Sequence, residues 1–306
     1  MRLIKYWFSG QSHFIHQTSG STGTPKKIQI SRDKIEYSAH ATLNYLGLNT
    51  KHAHSLLCLN STFIGGAMVV YRALIFKHNL TIVSPSTNIL TELDQNETFD
   101  LTSMAPLQFE NLDEVVIPKF GTILIGGAPM PIIQKAFDSD IYSTFGMTET
   151  VSHIALRKIN NTHFKTTGDT IVGLNTDDTL KIKGTITDHK WLNTNDLAEI
   201  IDSKTFKWIG RKDFVINSGG IKVNPETVEE LISNQFAKDF MIGSLPDERL
   251  GQRVILLCEE DKKDIDFSTL PKYSVPKEVY FNRQIIKTPS NKIDRINTLK
   301  NFESKL

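Results

Sequence analysis

Cysteine is scarce in this chain. The two residues of that type, Cys58 and Cys258, stand far apart among 306 residues, which excludes a disulfide-stapled scaffold and a cysteine-based metal centre. Two packed, reduced thiols and a cytoplasmic setting are the expectation. Net charge is equally slight: 35 Lys and Arg against 34 Asp and Glu leave +1. No broad field therefore marks the chain for nucleic acid or an anionic membrane surface. Long apolar runs are missing too. The most apolar window, residues 63–76, carries Arg72 and is too short to cross a bilayer. The opening MRLIKYWFSG is basic but lacks the apolar stretch of a secretory signal. The nine histidines are scattered. The close pairs His13/His16 and His52/His54 have no Cys or carboxylate company at ligand spacing, so they read as surface or packing residues.

What is present is an alternation. Short strands are expected at 14–17 and 26–30, with Ser31 capping a helix whose apolar residues Ile35, Ala39, Leu43 and Leu46 fall at helical spacing. Strands at 55–59, 80–84, 101–105, 122–125 and 141–145 alternate with helices at 65–76, behind Pro106, and at 131–137. Such alternation predicts a largely parallel sheet with helices on its faces. From about residue 152 the texture becomes β-rich, with strands at 154–159, 170–172, 180–182, 198–201 and 206–209. A small α+β unit follows, with strands at 214–216, 240–242 and 254–258 and a helix starting near Pro225. The fold class is α/β, and the boundary is placed in the polar run 210–213. Residues 1–211 form a first domain and 212–306 a smaller C-terminal one.

The chemistry begins at Thr18-Ser19-Gly20-Ser21-Thr22-Gly23-Thr24-Pro25-Lys26. Glycines let backbone N–H groups close on an anion, hydroxyls donate to phosphate oxygens, and a lysine adds charge. The spacing is neither that of a Walker A loop nor that of a dinucleotide fingerprint. Residues 142–149, YSTFGMTE, follow a strand end with an aromatic ring, a glycine, a hydroxyl and a carboxylate. Phe145 can stack on a base, Thr148 can reach a phosphate, and Glu149 can bind Mg²⁺. Ile125-Gly126-Gly127-Ala128-Pro129 ends another strand with room for a flat ring. In residues 191–196, WLNTND, Asp196 can accept from two hydroxyls, and Asn195 tolerates a left-handed backbone.

Together these segments resemble the adenylate-forming superfamily of acyl-CoA synthetases, luciferases and peptide-synthetase adenylation domains. TSGSTGTPK is similar to its phosphate loop, YSTFGMTE to its YGMTE segment, and TND to its TGD with Asn195 for glycine. GRKDFVINSGGIKVNPE, residues 210–226, resembles the junction into its C-terminal domain. KTPSNKIDR, residues 287–295, resembles its PxxxGK loop with Asn291 for glycine. The resemblance implies that ATP is held by Thr18, Ser19, Gly20, Ser21, Thr22, Gly23, Thr24 and Lys26. Gly126, Gly127, Ala128, Phe145 and Gly146 would frame the base, and Asp196 and Arg211 the ribose and phosphate. Thr148, Glu149 and Lys292 would be catalytic, with Mg²⁺ on Glu149. Lys212 would be the hinge, and Gly219 and Gly220 would line the path of coenzyme A.

The reaction implied joins a small carboxylic acid, through an acyl-adenylate, to coenzyme A. The short format looks most like the o-succinylbenzoate–CoA ligases of menaquinone synthesis. Ser143, Thr144 and Arg72 are candidates for its second carboxylate, near Phe63 at the head of the acyl-pocket helix. Another acid, a carrier-protein thiol, or nucleotide binding without catalysis stay open. Only seventeen residues precede the first loop, where relatives carry a subdomain, so a homodimer or a partner is expected to cover the first sheet.

Overall fold

The structure, a computed structural model, describes residues 2–17, 27–49, 52–127, 130, 132–133, 135–288 and 292–306. Strands His13–Gln17 and Lys27–Ser31 pair antiparallel, with Phe14 opposite Ile30. Ser31 is extended at φ −73° and accepts from the Lys34 backbone N–H, capping the helix Arg32–Leu46; Gly47, left-handed at φ 69°, ends it. The helical stripe buries Ile35, Ala39 and Leu43 as its spacing predicts. One element was not foreseen: Arg2–Phe8 is helical. Its Trp7 is held by the Arg32 guanidinium, 3.9 Å above the indole, and by Phe14 and Tyr71, contacts that no local pattern announces.

Eleven strands form one continuous sheet. Strands Asn79–Ile82, His54–Leu57, Leu101–Met104, Thr122–Ile125 and Ile141–Gly146 run parallel in that spatial order. At Ile141–Gly146 the pairing changes. His153–Lys158 returns antiparallel beside it, with Thr144 opposite Leu156. Phe164–Thr166, Thr205–Arg211, Leu192–Asp202, Thr179–Lys183 and Ile171–Leu174 continue antiparallel to the far edge. The β-rich stretch is thus an extension of the first sheet rather than an attachment to it.

Strand alternation divides the core between the two faces. Leu124 faces the helices Arg32–Leu46 and Ile64–Phe76, packing with Ile35, Leu43, Met68 and Tyr71. Ile123 and Ile125 face the other way, onto Phe99, Phe109 and Phe120. A second sheet is built from Ile216–Ser218, Ile221–Val223, Gly251–Cys258, Phe240–Asp247 and Glu278–Tyr280. The helix Pro225–Ile232, with proline in its first turn, buries Val228 and Ile232 on that sheet, and Arg295–Glu303 buries Phe302.

Three expectations need correction. The described residues within 131–137 are not helical. Pro129 and Pro131 supply no backbone donors there, and the Ile133 N–H reaches across to the Ile159 carbonyl at 3.0 Å instead of along a helix. The strand expected at 214–216 starts later, at Ile216, because Lys212–Phe214 form a single 3-10 turn closed by Val215 N–H on the Lys212 carbonyl. The left-handed backbone allowed for at Asn195 is not used: Asn195 and Asp196 lie within the strand Leu192–Asp202. No helix among the described residues is long and apolar enough to cross a membrane.

Ile123 is fully buried in a central strand. Its truncation in Ile123→Ala is expected to cost about 3 kcal/mol, read as a lowered denaturant midpoint at unchanged slope. A loss under about 1 kcal/mol would show that the two faces do not pack as described.

Candidate active site

Strand Ile141–Gly146 ends in a tight reversal. Gly146 is required there because an added Cβ would strike the backbone of Ser152 and His153. Thr148–Thr150 make one 3-10 turn, closed by Val151 N–H on the Thr148 carbonyl at 2.9 Å. The Thr150 hydroxyl accepts from Met147 N–H at 3.1 Å and donates to the carbonyls of Met147 and Ser152 in a shared geometry. Val151 has φ 65° and ψ −49°, and Ser152 N–H bonds the Thr150 carbonyl at 2.7 Å. This is a γ-turn in its strained form, at a β-branched residue, held in place by complete burial of the Val151 side chain. The reversal buries Thr148 and leaves Glu149 exposed. No hydrogen bond or ion pair to Glu149 forms among the described residues.

Gly126 and Gly127 end the neighbouring strand. The space a side chain would need at Gly126 is taken by the Thr144 hydroxyl, whereas Gly127, left-handed at φ 96°, faces open space. Phe145 is half-buried. Its ring lies 5.2 Å from Phe206, nearly perpendicular, and 5.8 Å from Phe164, so only part of it remains for a ligand. Thr18, Ser19, Gly20, Ser21, Thr22, Gly23, Thr24, Lys26 and Ala128 lie outside the described residues.

Phe206 ties this reversal to the strand Thr205–Arg211, which carries the second half of the site. Asp196 is buried, and its Oδ1 accepts from the Trp208 indole N–H at 3.0 Å. Its Oδ2 lies 3.9 Å from the Arg211 guanidinium, which also holds Asp213 at 3.0 Å. Burial pushes the Asp196 carboxyl above its ordinary range, while Trp208 and Arg211 oppose the rise. Asn195 is extended and exposed, with no left-handed backbone; its amide donates to the Asp213 carboxylate at 3.3 Å.

Lys292 joins the same group from the far end of the chain. Lys287 and Ile293 pair across a loop whose base is closed by Thr288 N–H on the Lys292 carbonyl at 2.8 Å. The Lys292 ammonium is held below its ordinary pKa, first by burial and then by the nearby Arg211 charge. Lys292 and Arg211 thus stand together beside Asp196 and Asp213, and a desolvated ammonium next to a second cation suits an anionic ligand.

Lys212 is exposed and bonds Asp177 at 2.7 Å, an ion pair that pulls the Asp177 carboxyl far down. Gly219 and Gly220, at φ 60° and 82°, form the two-residue turn between Ile216–Ser218 and Ile221–Val223. Ser143 is buried. Arg72 is buried as well. Its Nη2 donates to Ser152 Oγ at 3.3 Å, its Nε has no partner among the described residues, and no carboxylate lies within ion-pair distance. Burial brings its pKa down to about 10. Beside it His153, bonded to Thr42 Oγ1 at 2.9 Å, is kept neutral by burial and by Arg72. Trp208, Asp177 and His153 carried no signal in the sequence, since each acts through a partner at least twelve residues away; Asp213 lay within the 210–226 motif without being assigned a role.

Residues 10–184 match the family model described as AMP-binding enzyme. The 2-succinylbenzoate–CoA ligase of Listeria monocytogenes serovar 1/2a is 27% identical over 99% of this chain and 73% of its own length. That of Bacillus cytotoxicus is 24% identical over 91% and 68%. An acyl-CoA synthetase (AMP-forming)/AMP-acid ligase II-like protein from Dyadobacter fermentans is 31% identical, with TM-score 0.63 over 98% of this chain and 92% of its own. The o-succinylbenzoate–CoA synthetase of Bacillus subtilis, solved with ATP and magnesium ion, shares the fold at TM-score 0.80 and 20% identity, covering 93% of this chain and 69% of its own.

Replacing Asp196 by Asn removes a buried charge whose pKa is raised on folding. The native state holds its proton to higher pH than the unfolded chain, so stability falls as pH climbs from about 3.8 through the raised value. Asp196→Asn is therefore expected to melt at the same temperature or higher at pH 7, an advantage that vanishes near pH 4, while nucleotide binding weakens. A variant markedly less stable at pH 7 would contradict this assignment.

Proposed function

The chain belongs to the AMP-binding enzyme family, and from that premise we propose that it is an AMP-forming carboxylate–CoA ligase whose acid is 2-succinylbenzoate. The observation that carries the reading is the convergence of Lys292, Arg211 and Asp196, which draws the C-terminal loop onto the end of the first sheet. The names of the Listeria and Bacillus relatives support the choice of acid. So does Arg72, a buried cation without a carboxylate partner among the described residues, because 2-succinylbenzoate brings a second carboxylate beyond the one that reacts.

The reaction runs in two halves. The substrate carboxylate attacks the α-phosphorus of ATP, an O–P bond forms, and pyrophosphate leaves. Residues 18–26 cradle the phosphates. Asp196 accepts from the ribose hydroxyls, with its remaining oxygen lone pairs free of Trp208. Arg211, Thr148 and Lys292 receive the charge that grows on the phosphoryl and carboxylate oxygens. Being anchored in advance, they need little rearrangement as it develops. Glu149, exposed and without a partner among the described residues, would hold Mg²⁺, which when bound neutralises phosphate charge. In the second half residues 212–306 swing at Lys212 as a domain distinct from 1–211, withdrawing Lys292. The thiolate of coenzyme A, entering past Gly219 and Gly220, attacks the acyl carbonyl, and AMP leaves. The hinge contacts, an exposed Lys212–Asp177 pair and the Asn195–Asp213 bond, are weak enough to exchange. Two buried free thiols, with Cys58 raised to about 12, fit a cytoplasmic enzyme.

Lys292→Ala is expected to slow acid-dependent pyrophosphate exchange by about 10²–10³-fold while leaving conversion of preformed acyl-adenylate to thioester intact. Equal loss in both halves would remove Lys292 from its role. Arg72→Ala is expected to raise the KM for 2-succinylbenzoate by about 10–100-fold, with the KM for ATP unchanged and Arg72→Lys recovering part of the loss. A screen of carboxylic acids for AMP release with coenzyme A present tests the substrate. Release with monocarboxylic acids but none with 2-succinylbenzoate would overturn it.

A further inference from the structure

Trp191 precedes the strand that carries Asp196, yet its indole is 44% exposed. Lys181 and Lys183 project from the neighbouring strand to one side of the ring, with ammonium groups 4.9 and 5.8 Å from its centre. The same ring overlies Gly173 on the next strand out, where an added Cβ would come within 3.6 Å of it. The indole is therefore backed by the sheet at Gly173 and flanked by the two lysines, and the rest of its surface faces solvent. Neither lysine has an acidic partner within ion-pair distance among the described residues. Lys190 adds a third charge next in sequence. An exposed aromatic platform with uncompensated cations at its rim is the arrangement that stacks a base and binds its phosphates.

Its place in the fold narrows the ligand. Along Leu192–Asp202 the even positions Thr194 and Asp196 are buried, and the odd positions Asn193 and Asn195 are exposed. Trp191 and Lys181, which pairs with Asn193, share the exposed face. On that face Asn195 meets Asp213 beside the hinge. Four residues at about 3.3 Å each put the platform roughly 13 Å from this contact along the strand. We propose that Trp191, Lys181 and Lys183 bind the phosphorylated nucleotide end of the thiol cosubstrate, leaving the arm to run past the hinge toward the acyl-adenylate. This rests on the proposed ligase activity, which names coenzyme A as that cosubstrate.

The test uses the full chain and adenosine 3′,5′-bisphosphate, the nucleotide end without the thiol arm, followed by titration calorimetry. The wild type is expected to bind it, more weakly as salt rises. Trp191→Ala should weaken binding at least about tenfold, the size of one base–aromatic stack. The pair Lys181→Gln and Lys183→Gln should do likewise, and Trp191→Phe should restore most of the affinity. In turnover, Trp191→Ala should raise the KM for coenzyme A but not for pantetheine, with pyrophosphate exchange unchanged. The proposal falls if the wild type fails to bind the bisphosphate, if the variants bind it as the wild type does, or if a non-hydrolysable ATP analogue displaces it. Absence of pyrophosphate exchange in the wild type would instead count against the ligase reading, because the binding measurement does not depend on it.

Discussion

The reversal between Gly146 and Ser152 is the constraint on which the molecule turns. On one side of Ile141–Gly146 every neighbouring strand is parallel, and on the other every one is antiparallel. The chain changes direction within a few residues, which leaves no room for a side chain at Gly146 and forces Val151 into a left-handed backbone. Such strain costs on the order of 1–3 kcal/mol. Burial of Val151, with the bonds centred on the Thr150 hydroxyl, holds it. In open α/β sheets a crevice forms where strand connections diverge at their carboxyl ends, and the reversal delivers Thr148 and Glu149 there.

Charge is distributed unevenly among the candidate site residues. Asp196 is a buried acid whose ionised form is costly; Arg211 offsets part of that cost, and the same guanidinium faces Lys292 of the C-terminal loop. Arg72 is the inverse, a buried base among neutral groups. Neither arrangement is what stability alone favours, since both leave charge incompletely matched. The proposed ligands, an anionic nucleotide and an acid with two carboxylates, would complete both.

The second sheet has its own apolar clusters around Leu256 and Leu257. Its junction with the first is mostly polar. Thr227 Oγ1 donates to the Ile209 carbonyl at 2.8 Å, and Glu226 is buried where a Cβ on Gly210 would crowd it. Burial raises the Glu226 carboxyl above its ordinary range. A joint of hydrogen bonds and one reluctant carboxyl exchanges more readily than a packed apolar seam, as the proposed swing requires.

Local chemistry was enough to find much of this. The Ser31 cap, the Ile35–Ala39–Leu43 stripe and the apolar strands around Ile123 and Leu56 depend on neighbours within a few residues, and each appears where its pattern put it. The candidate site residues Thr148, Glu149, Asp196, Arg211 and Lys292 came from the resemblance of short motifs, each of which sets a hydroxyl, a carboxylate or a cation at a fixed offset. Spacing could not say that Asn195 and Asp196 sit inside a strand, that the Ile133 N–H bonds Ile159 and not a helical neighbour, or that the β-rich stretch extends the first sheet. Those follow from pairing between segments far apart in the chain. So do the Trp208 bond to Asp196, the solitude of Arg72 and the exposure of Trp191. The sequence determined which groups are available and where chains of like structure begin. Only the tertiary structure decided which of them share one low-dielectric space, because the energy of a buried charge depends on neighbours that folding, not order along the chain, supplies.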